Sequence, residues 1–560
     1  MYETLRTDVL VIGGGAAGVR AAIAVAEKGL SVMCLSKAPI SRSGITPVAG
    51  EGIEAAVAPG DSPRHHYEDT VKAGRGLADE VLVNAMAQEA TPRIEDLLSY
   101  GTRFKKNPDG TLAQSPRPGQ KHARNLFLMG GGWGLMASLF RKAGSLPGLV
   151  IREDTQVLRL VTSGSRVAGA VVLDVRTGAV FGVEAKATIL ASGGYEELWP
   201  VTDCPPECTG EAMLMAARLG GELIDLEMVL YYPTVIVFPL AARGWMVQYE
   251  YIINPDILGG RLINVHGEQF VKGFPARDEL IMAINREIAE GRGTAHGGVY
   301  ADLTNSPYGR EELTRRMEAW LNQFRNLRQV GIDLRDQMVE MAPAAHYCLG
   351  GIGIDEYGRT GMEGLWAAGE VTGNVHGANR LSGNALTETQ VFGYRAAADA
   401  VAWAAGQDWP GGDFQAGVAE EIKNIARWTS AREGLRPIQL KRRLQEIMGK
   451  WVAFDRNETF LKNALAALDE LEPELAKLRV DGHRRYCQEV REAHEVLHMI
   501  PLARAVIAAG LERKESRGHH MRADYPGLLP EARHTVIKLA GGISVSSRPV
   551  RKLAHSGGCV

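Results

Sequence analysis

The sequence predicts an α/β fold built on a Rossmann-like dinucleotide-binding domain. Three observations carry that expectation. Residues 8–12 (DVLVI) form a Val/Ile-rich run suited to a buried parallel strand. The glycine-rich segment GGGAAG follows it at once. Residues 367–393 then gather ten Gly, Ala and Ser residues around one arginine, Arg380, so that backbone can approach a flat ligand while a guanidinium fork meets an anion.

Taken in order, Gly13, Gly15 and Gly18 fit G-x-G-x-x-G, with a helical stretch over 19–28 and a second strand over 31–36. The first glycine permits the turn, the second admits a pyrophosphate, and the third lets helix and strand pack. The pyrophosphate then meets the positive end of the helix. The second strand ends in Ser36-Lys37, where a simple NAD site would carry an acidic residue. Strands are also expected within 148–160 and 167–174, and ATILA (187–191) runs into Ser192-Gly193-Gly194. A strand ending in a glycine pair beside such a site suits a two-part flavin-binding domain, so the cofactor expected is FAD.

Length and composition narrow the class. A chain of 560 residues predicts two to four domains. A net charge of −3 gives no basic footprint for nucleic acid. The N-terminus runs into a strand without a basic leader, so no signal peptide is expected and the predicted setting is cytoplasmic. The apolar run 235–240 is too short to span a membrane, so no direct membrane insertion is expected. Six cysteines lack iron–sulfur or zinc spacing, and no metal site is predicted. Cys204 and Cys208, in a Pro-rich loop, read as two reduced thiols.

A wider set of motifs is present: GGGAAG (13–18), LSK (35–37), LASGG (190–194), TGEA (209–212), HYCLGGI (346–352), WAAGE (366–370), HGANRLSGNAL (376–386) and KESRGHHMRADYP (514–526). In this order, from about 7 to 526, the chain resembles the flavoprotein subunits of succinate dehydrogenase and fumarate reductase. L-aspartate oxidase and adenylylsulfate reductase are relatives. The resemblance implies an FAD domain in two parts (1–234 and 342–410) with an α+β capping domain inserted (235–341). A C-terminal helical domain (411–527) and a tail (528–560) would follow. It implies FAD contacts at Gly13, Gly15, Ala17, Gly18, Ser36, Lys37, Ser43, Gly44, Val157, Ala191, Gly193, Gly194, Glu211, Glu370, Arg380, Asn384, Ala385 and Leu386. Glu211 replaces the family's usual aspartate. Respiratory members attach FAD through a histidine in an S-H-T segment; residues 42–46 here read RSGIT, so FAD is expected to be non-covalent.

At the substrate end the family sets two arginines and two histidines around a dicarboxylate. His346 and Arg380 are present, whereas the family's H-P-T tripeptide is Tyr232-Pro233-Thr234 here. The family's R-G-E-G-G segment corresponds to DILGG (256–260), which puts Asp256 at the proton-delivering position. Tyr232, Asp256 or Arg261 would then supply the proton, or the register slips and Arg261 stands in directly. Arg277 and Arg261 also read as partners of acidic neighbours, and His519 and His520 as polar residues joining domains. The resemblance implies hydride exchange between flavin N5 and a C–C or C=C bond of a carboxylate or acyl thioester. Electrons would pass to an iron–sulfur or ferredoxin-like subunit, and ordinary succinate or fumarate turnover is not expected. An L-aspartate-oxidase-like enzyme, an adenylylsulfate-reductase-like enzyme and an electron-transfer subunit without its own substrate remain open.

Overall fold

The computed structural model describes residues 2–50, 52–275, 277–320, 322–482 and 485–553. Strand Thr4–Ile12 lies at the centre of the main sheet, with Val9, Leu10 and Val11 wholly buried. It pairs in parallel with Val32–Leu35 on one side and Ala179–Leu190 on the other. Val32–Leu35 pairs in turn with Leu149–Arg152, and Leu365–Ala367 joins Ala179–Leu190, also in parallel. A segment from far along the chain thus completes the sheet begun at the N-terminus. An antiparallel arm, Thr155–Ser163 and Arg166–Asp174, extends from Ala179–Leu190.

Two helices cover one face of this sheet. Ala16–Glu27 and Asn384–Ala404 pack so closely that a Cβ on Gly393 would lie 2.7 Å from the Ala17 carbonyl oxygen. Small residues at that crossing let backbone meet backbone, which ties the two parts of the domain together.

The cap is an antiparallel sheet in the order Val229–Phe238, Val339–Cys348, Val299–Asp302, Arg261–Ile263. Helix Arg277–Ala289 packs on it over a separate apolar core that includes Val235, Ile236, Leu280, Ile284 and Met341. The two long strands run through positions 234/235 and 341/342, so they carry the FAD domain directly into the cap. Beyond it, helices Phe414–Ser430, Pro437–Trp451, Glu458–Leu471 and Gln488–Glu512 form the helical part.

Residues 529–553, for which the sequence suggested no role, are built into the body. Hairpin Arg533–Lys538/Ser544–Pro549 pairs with Leu223–Ile224. Beneath it Arg513 binds Asp225, Glu227 and Glu515, all buried, at 2.9, 2.5 and 2.9 Å. Arg551 and Lys552 then reach Asp79 and Glu80 at 2.5 and 3.0 Å. Residues 554–560 of the expected tail lie outside the described residues.

Candidate active site

A cavity of about 2050 Å³ opens at the C-terminal ends of the parallel strands, walled by the two-part domain, the cap and the loop carrying Gly518 and His519. Its floor is the glycine turn. Gly13 has φ +124°, and a Cβ there would lie 2.0 Å from the Ala191 carbonyl oxygen. A Cβ on Gly18 would fall 1.9 Å from the Gly13 oxygen, so this glycine serves helix–strand packing and lies off the cavity wall. Gly15 caps helix Ala16–Glu27 and faces open space, its nearest would-be neighbour being Thr46 Oγ1 at 3.5 Å. Backbone N–H groups and the helix's positive end therefore face the cavity where a pyrophosphate would lie.

Most expected FAD contacts line this cavity: Gly13, Gly15, Ala17, Ser36, Lys37, Ser43, Gly44, Val157, Ala191, Gly193, Glu211, Glu370, Arg380, Ala385 and Leu386. Gly18, Gly194 and Asn384 stand behind it. A Cβ on Gly194 would meet the Glu196 carboxylate at 2.5 Å, so this glycine makes room for a side chain. Asn384 is buried at the start of helix Asn384–Ala404. Its Oδ1 meets His66 Nε2 at 2.7 Å and its amide donates to Thr70 Oγ1 at 2.9 Å.

Lys37 and Glu211 are joined at 2.9 Å, and Lys37 also reaches Thr209 at 2.7 Å and Glu495, from the helical part, at 3.1 Å. Burial alone would raise the Glu211 carboxyl, but the adjoining ammonium and the Thr209 hydroxyl hold it down to about 2. Large volume, small-residue floor, helix N-terminus and fixed carboxylate fit an extended dinucleotide with a flat ring. These residues would hold FAD.

At the far end of the cavity sit the groups suited to a substrate. His346 Nδ1 meets Asp203 Oδ2 at 2.8 Å and its Nε2 faces Arg380 at 3.5 Å. Nδ1–H donates to the carboxylate, which leaves Nε2 free to accept from the guanidinium. Arg380 lies over the Tyr347 ring at 4.6 Å, and its buried Nε has no partner. Burial pulls its pKa down, as does the charge of Arg277. Tyr232 also lines the cavity, 5.6 Å from the His346 ring, and donates its hydroxyl proton to Glu250 at 2.5 Å. Burial and the Glu250 charge push that phenol well above its usual range.

Arg277 stands over the Tyr232 ring at 5.3 Å and 3.6 Å from Glu250, with its guanidinium on the cavity wall. It does have the acidic neighbour expected of it, yet it also faces the substrate space. Asp256 and Arg261 do not line the cavity. Asp256 is exposed, its backbone held by Asn254 and Arg316. Arg261 begins an edge strand of the cap sheet and pairs with Asp302 at 2.6 Å. Asp256 points outward between Asn254 and Ile257, which line the cavity, and the chain then turns through Gly259, at φ +60°, before it reaches Arg261. From the cap, Arg243, Arg277, Glu250 and Asp278 line the cavity, and of these Arg277 and Glu250 stand beside Tyr232; the sequence motifs single out neither for that place. Arg277 lies at the start of a cap helix, and only the folded cap brings it beside Tyr232. His519 also reaches the wall, bonded to Tyr231 N–H at 3.3 Å and Asn379 at 3.2 Å. Burial, then the charges of Arg277 and Arg380, keep it neutral.

Fold and cavity together define an FAD-dependent oxidoreductase. Residues 8–386 match the FAD binding domain family and residues 441–552 the family described as fumarate reductase flavoprotein C-term. The chain is 36% identical over 545 residues to one of the chains of the fumarate reductase (CoM/CoB) of Methanothermobacter marburgensis, covering 96% of this chain and 97% of that one. It is 32% identical over 552 residues to an L-aspartate oxidase of Streptomyces coelicolor, covering 96% and 92%. The Sdh1 chain of Mycobacterium smegmatis, solved in complex with UQ1, superposes with a TM-score of 0.91 at 30% identity, covering 98% of this chain and 95% of that one. The chain belongs to the fumarate reductase/succinate dehydrogenase flavoprotein family. Among the described residues, no helix is long and apolar enough to cross a membrane.

Proposed function

We propose that the protein exchanges hydride between its FAD and the carbon–carbon single or double bond of a small carboxylate, a dicarboxylate suiting the site best. The observation that supports this is that two arginines of the cavity lining, Arg277 and Arg380, lie near enough for the charge of the first to act on the second, with His346 beside Arg380. The motif that would carry a second arginine lacks one, which argued against succinate-type substrates; in this reading Arg277, from another part of the chain, takes that role. FAD, when bound, supplies the hydride donor and acceptor. Arg380 binds one carboxylate, and its unpaired Nε leaves a donor for it. Asp203 fixes the His346 ring, whose Nε2 accepts from Arg380 and so holds that guanidinium in position for the substrate. Arg277 binds the other end, and the Tyr232–Glu250–Arg277 cluster holds the proton that must accompany hydride. Closed under the cap, these charges act in a medium where each is worth more than in water.

The proposed protein holds its FAD non-covalently, works in a cytoplasmic setting and passes electrons to a separate iron–sulfur or ferredoxin-like partner. Histidines on the cavity wall are His346 and His519, both engaged with protein partners. Acid precipitation of the purified protein should accordingly release all flavin to the supernatant. The test of substrate class is anaerobic reoxidation of the reduced holoenzyme by unsaturated dicarboxylates, monocarboxylates and acyl thioesters. Fast bleaching reversal by dicarboxylates alone is expected. Reoxidation by thioesters alone, or peroxide formation with an amino acid in air, would replace this reading.

A further inference from the structure

At the cavity wall and just behind it lies a pair of carboxylates that the reaction above does not use. Glu196 begins a short 3-10 turn just after Gly193-Gly194 and is wholly buried. Glu370, also buried, lines the FAD cavity. One backbone N–H, that of Cys348, donates to both: 2.9 Å to Glu196 Oε1 and 3.0 Å to Glu370 Oε1. The other Glu196 oxygen is buried without a partner. Neither carboxylate has an ion pair among the described residues. The groups around the pair are thiols and phenols, Cys348, Cys204, Cys208, Tyr195 and Tyr347. The nearby charges are Glu197, paired with Lys441 at 2.6 Å, and Arg380, which lies over the Tyr347 ring and makes no ion pair with Glu370 although its charge acts on it. Two adjacent carboxylates in such a place cannot both ionise. Burial and the Glu196 charge accordingly push the Glu370 carboxyl far above its usual range.

We propose that Glu196 and Glu370 share one proton and that this dyad is a proton site linked to the redox state of the FAD. Two electrons arriving from a donor place negative charge in the cavity that Glu370 lines, which strengthens the dyad's hold on its proton. In the alkaline range where the dyad is deprotonated beside oxidised flavin and protonated beside reduced flavin, each two-electron reduction draws one proton from solvent onto the dyad. This proton is additional to any taken by the flavin itself. Glu196 makes the device, because Glu370 alone would have no carboxylate to share with.

The test is a potentiometric titration of the holoenzyme, with dithionite as reductant, across neutral and alkaline pH. Wild type should show a segment in which the flavin potential falls about 30 mV per pH unit more steeply than in Glu196→Gln, one proton per two electrons. A second measurement compares wild type with Glu196→Gln at rest, the wild-type protein first. Its infrared spectrum should carry a protonated-carboxyl band at neutral pH that Glu196→Gln loses. Equal slopes in the two proteins would overturn the redox link. Absence of the band, or one tightly bound cation per chain by elemental analysis, would overturn the shared proton.

Discussion

Arg380 and Lys37 show two ways of keeping a cation inside a wall. Arg380 is left with an unpaired donor and a lowered pKa, a cost that a bound anion removes. Lys37 is fully paired, with Glu211 and Glu495, and its pKa is raised despite burial. The Glu211 carboxyl, held well below its ordinary value by the Lys37 ammonium and the Thr209 hydroxyl, stabilises the fold in its ionised form. Since its folded value is depressed, that stability is complete above its unfolded pKa and is lost as pH falls from about 4.5 towards 2. Glu211→Gln should therefore flatten the acid limb of a Tm-against-pH curve and lower Tm at neutral pH. An unchanged acid limb would shift the role to Glu495. Lys37 and Glu211 were both legible as site residues in the sequence. Glu495 was not, because it arrives from a helix 458 positions away from Lys37.

Among the elements, the glycine turn and the helix after it separate packing from binding. Gly15→Ala places a methyl in open space on the pyrophosphate side, so apoprotein Tm should stay near wild type while FAD affinity falls at least tenfold. Gly18→Ala drives a methyl onto the Gly13 carbonyl and should lower both Tm and FAD content. Calorimetry with a flavin titration distinguishes the two. Helix Asn384–Ala404 behaves similarly at its start. Asn384→Ala leaves His66 Nε2 without its partner in a buried site and removes one of two hydrogen bonds at Thr70 Oγ1, an expected loss of about 1–3 kcal/mol on denaturant unfolding. Burial holds His66 near pKa 4, so it is neutral at physiological pH and the loss is one of hydrogen bonds and not of charge. The strand–turn–helix pattern was readable because its spacing is local. The support behind Asn384 was not, since His66 lies over 300 positions earlier.

Across the whole molecule, distant segments close one body around the cavity. The C-terminal hairpin covers the edge of Leu223–Ile224 and, with Thr535 and His534, satisfies the buried acids around Arg513. A chain ending at 530 would leave that charge network open to one side. It should unfold at lower temperature and be cut first by protease near Leu223. The alternation of main sheet, cap and helical part could be read from motifs and periodicity. The hairpin could not, because its six-residue strands carry no motif and acquire meaning only against Leu223–Ile224. The same limit applies to the substrate site. His346 and Arg380 lie in recognisable segments, whereas Arg277 and Glu250 belong to a cap whose sequence departs from the pattern expected of it. The central claim is that Arg277, and not Arg261 or Asp256, completes the substrate clamp. Its most direct test is stopped-flow reoxidation of reduced Arg277→Lys and Arg261→Lys holoenzymes by an unsaturated dicarboxylate. A clamp built on Arg277 predicts a fall of about 10²-fold or more for Arg277→Lys and a near-wild-type rate for Arg261→Lys. A near-wild-type rate for Arg277→Lys with a collapse for Arg261→Lys would contradict it.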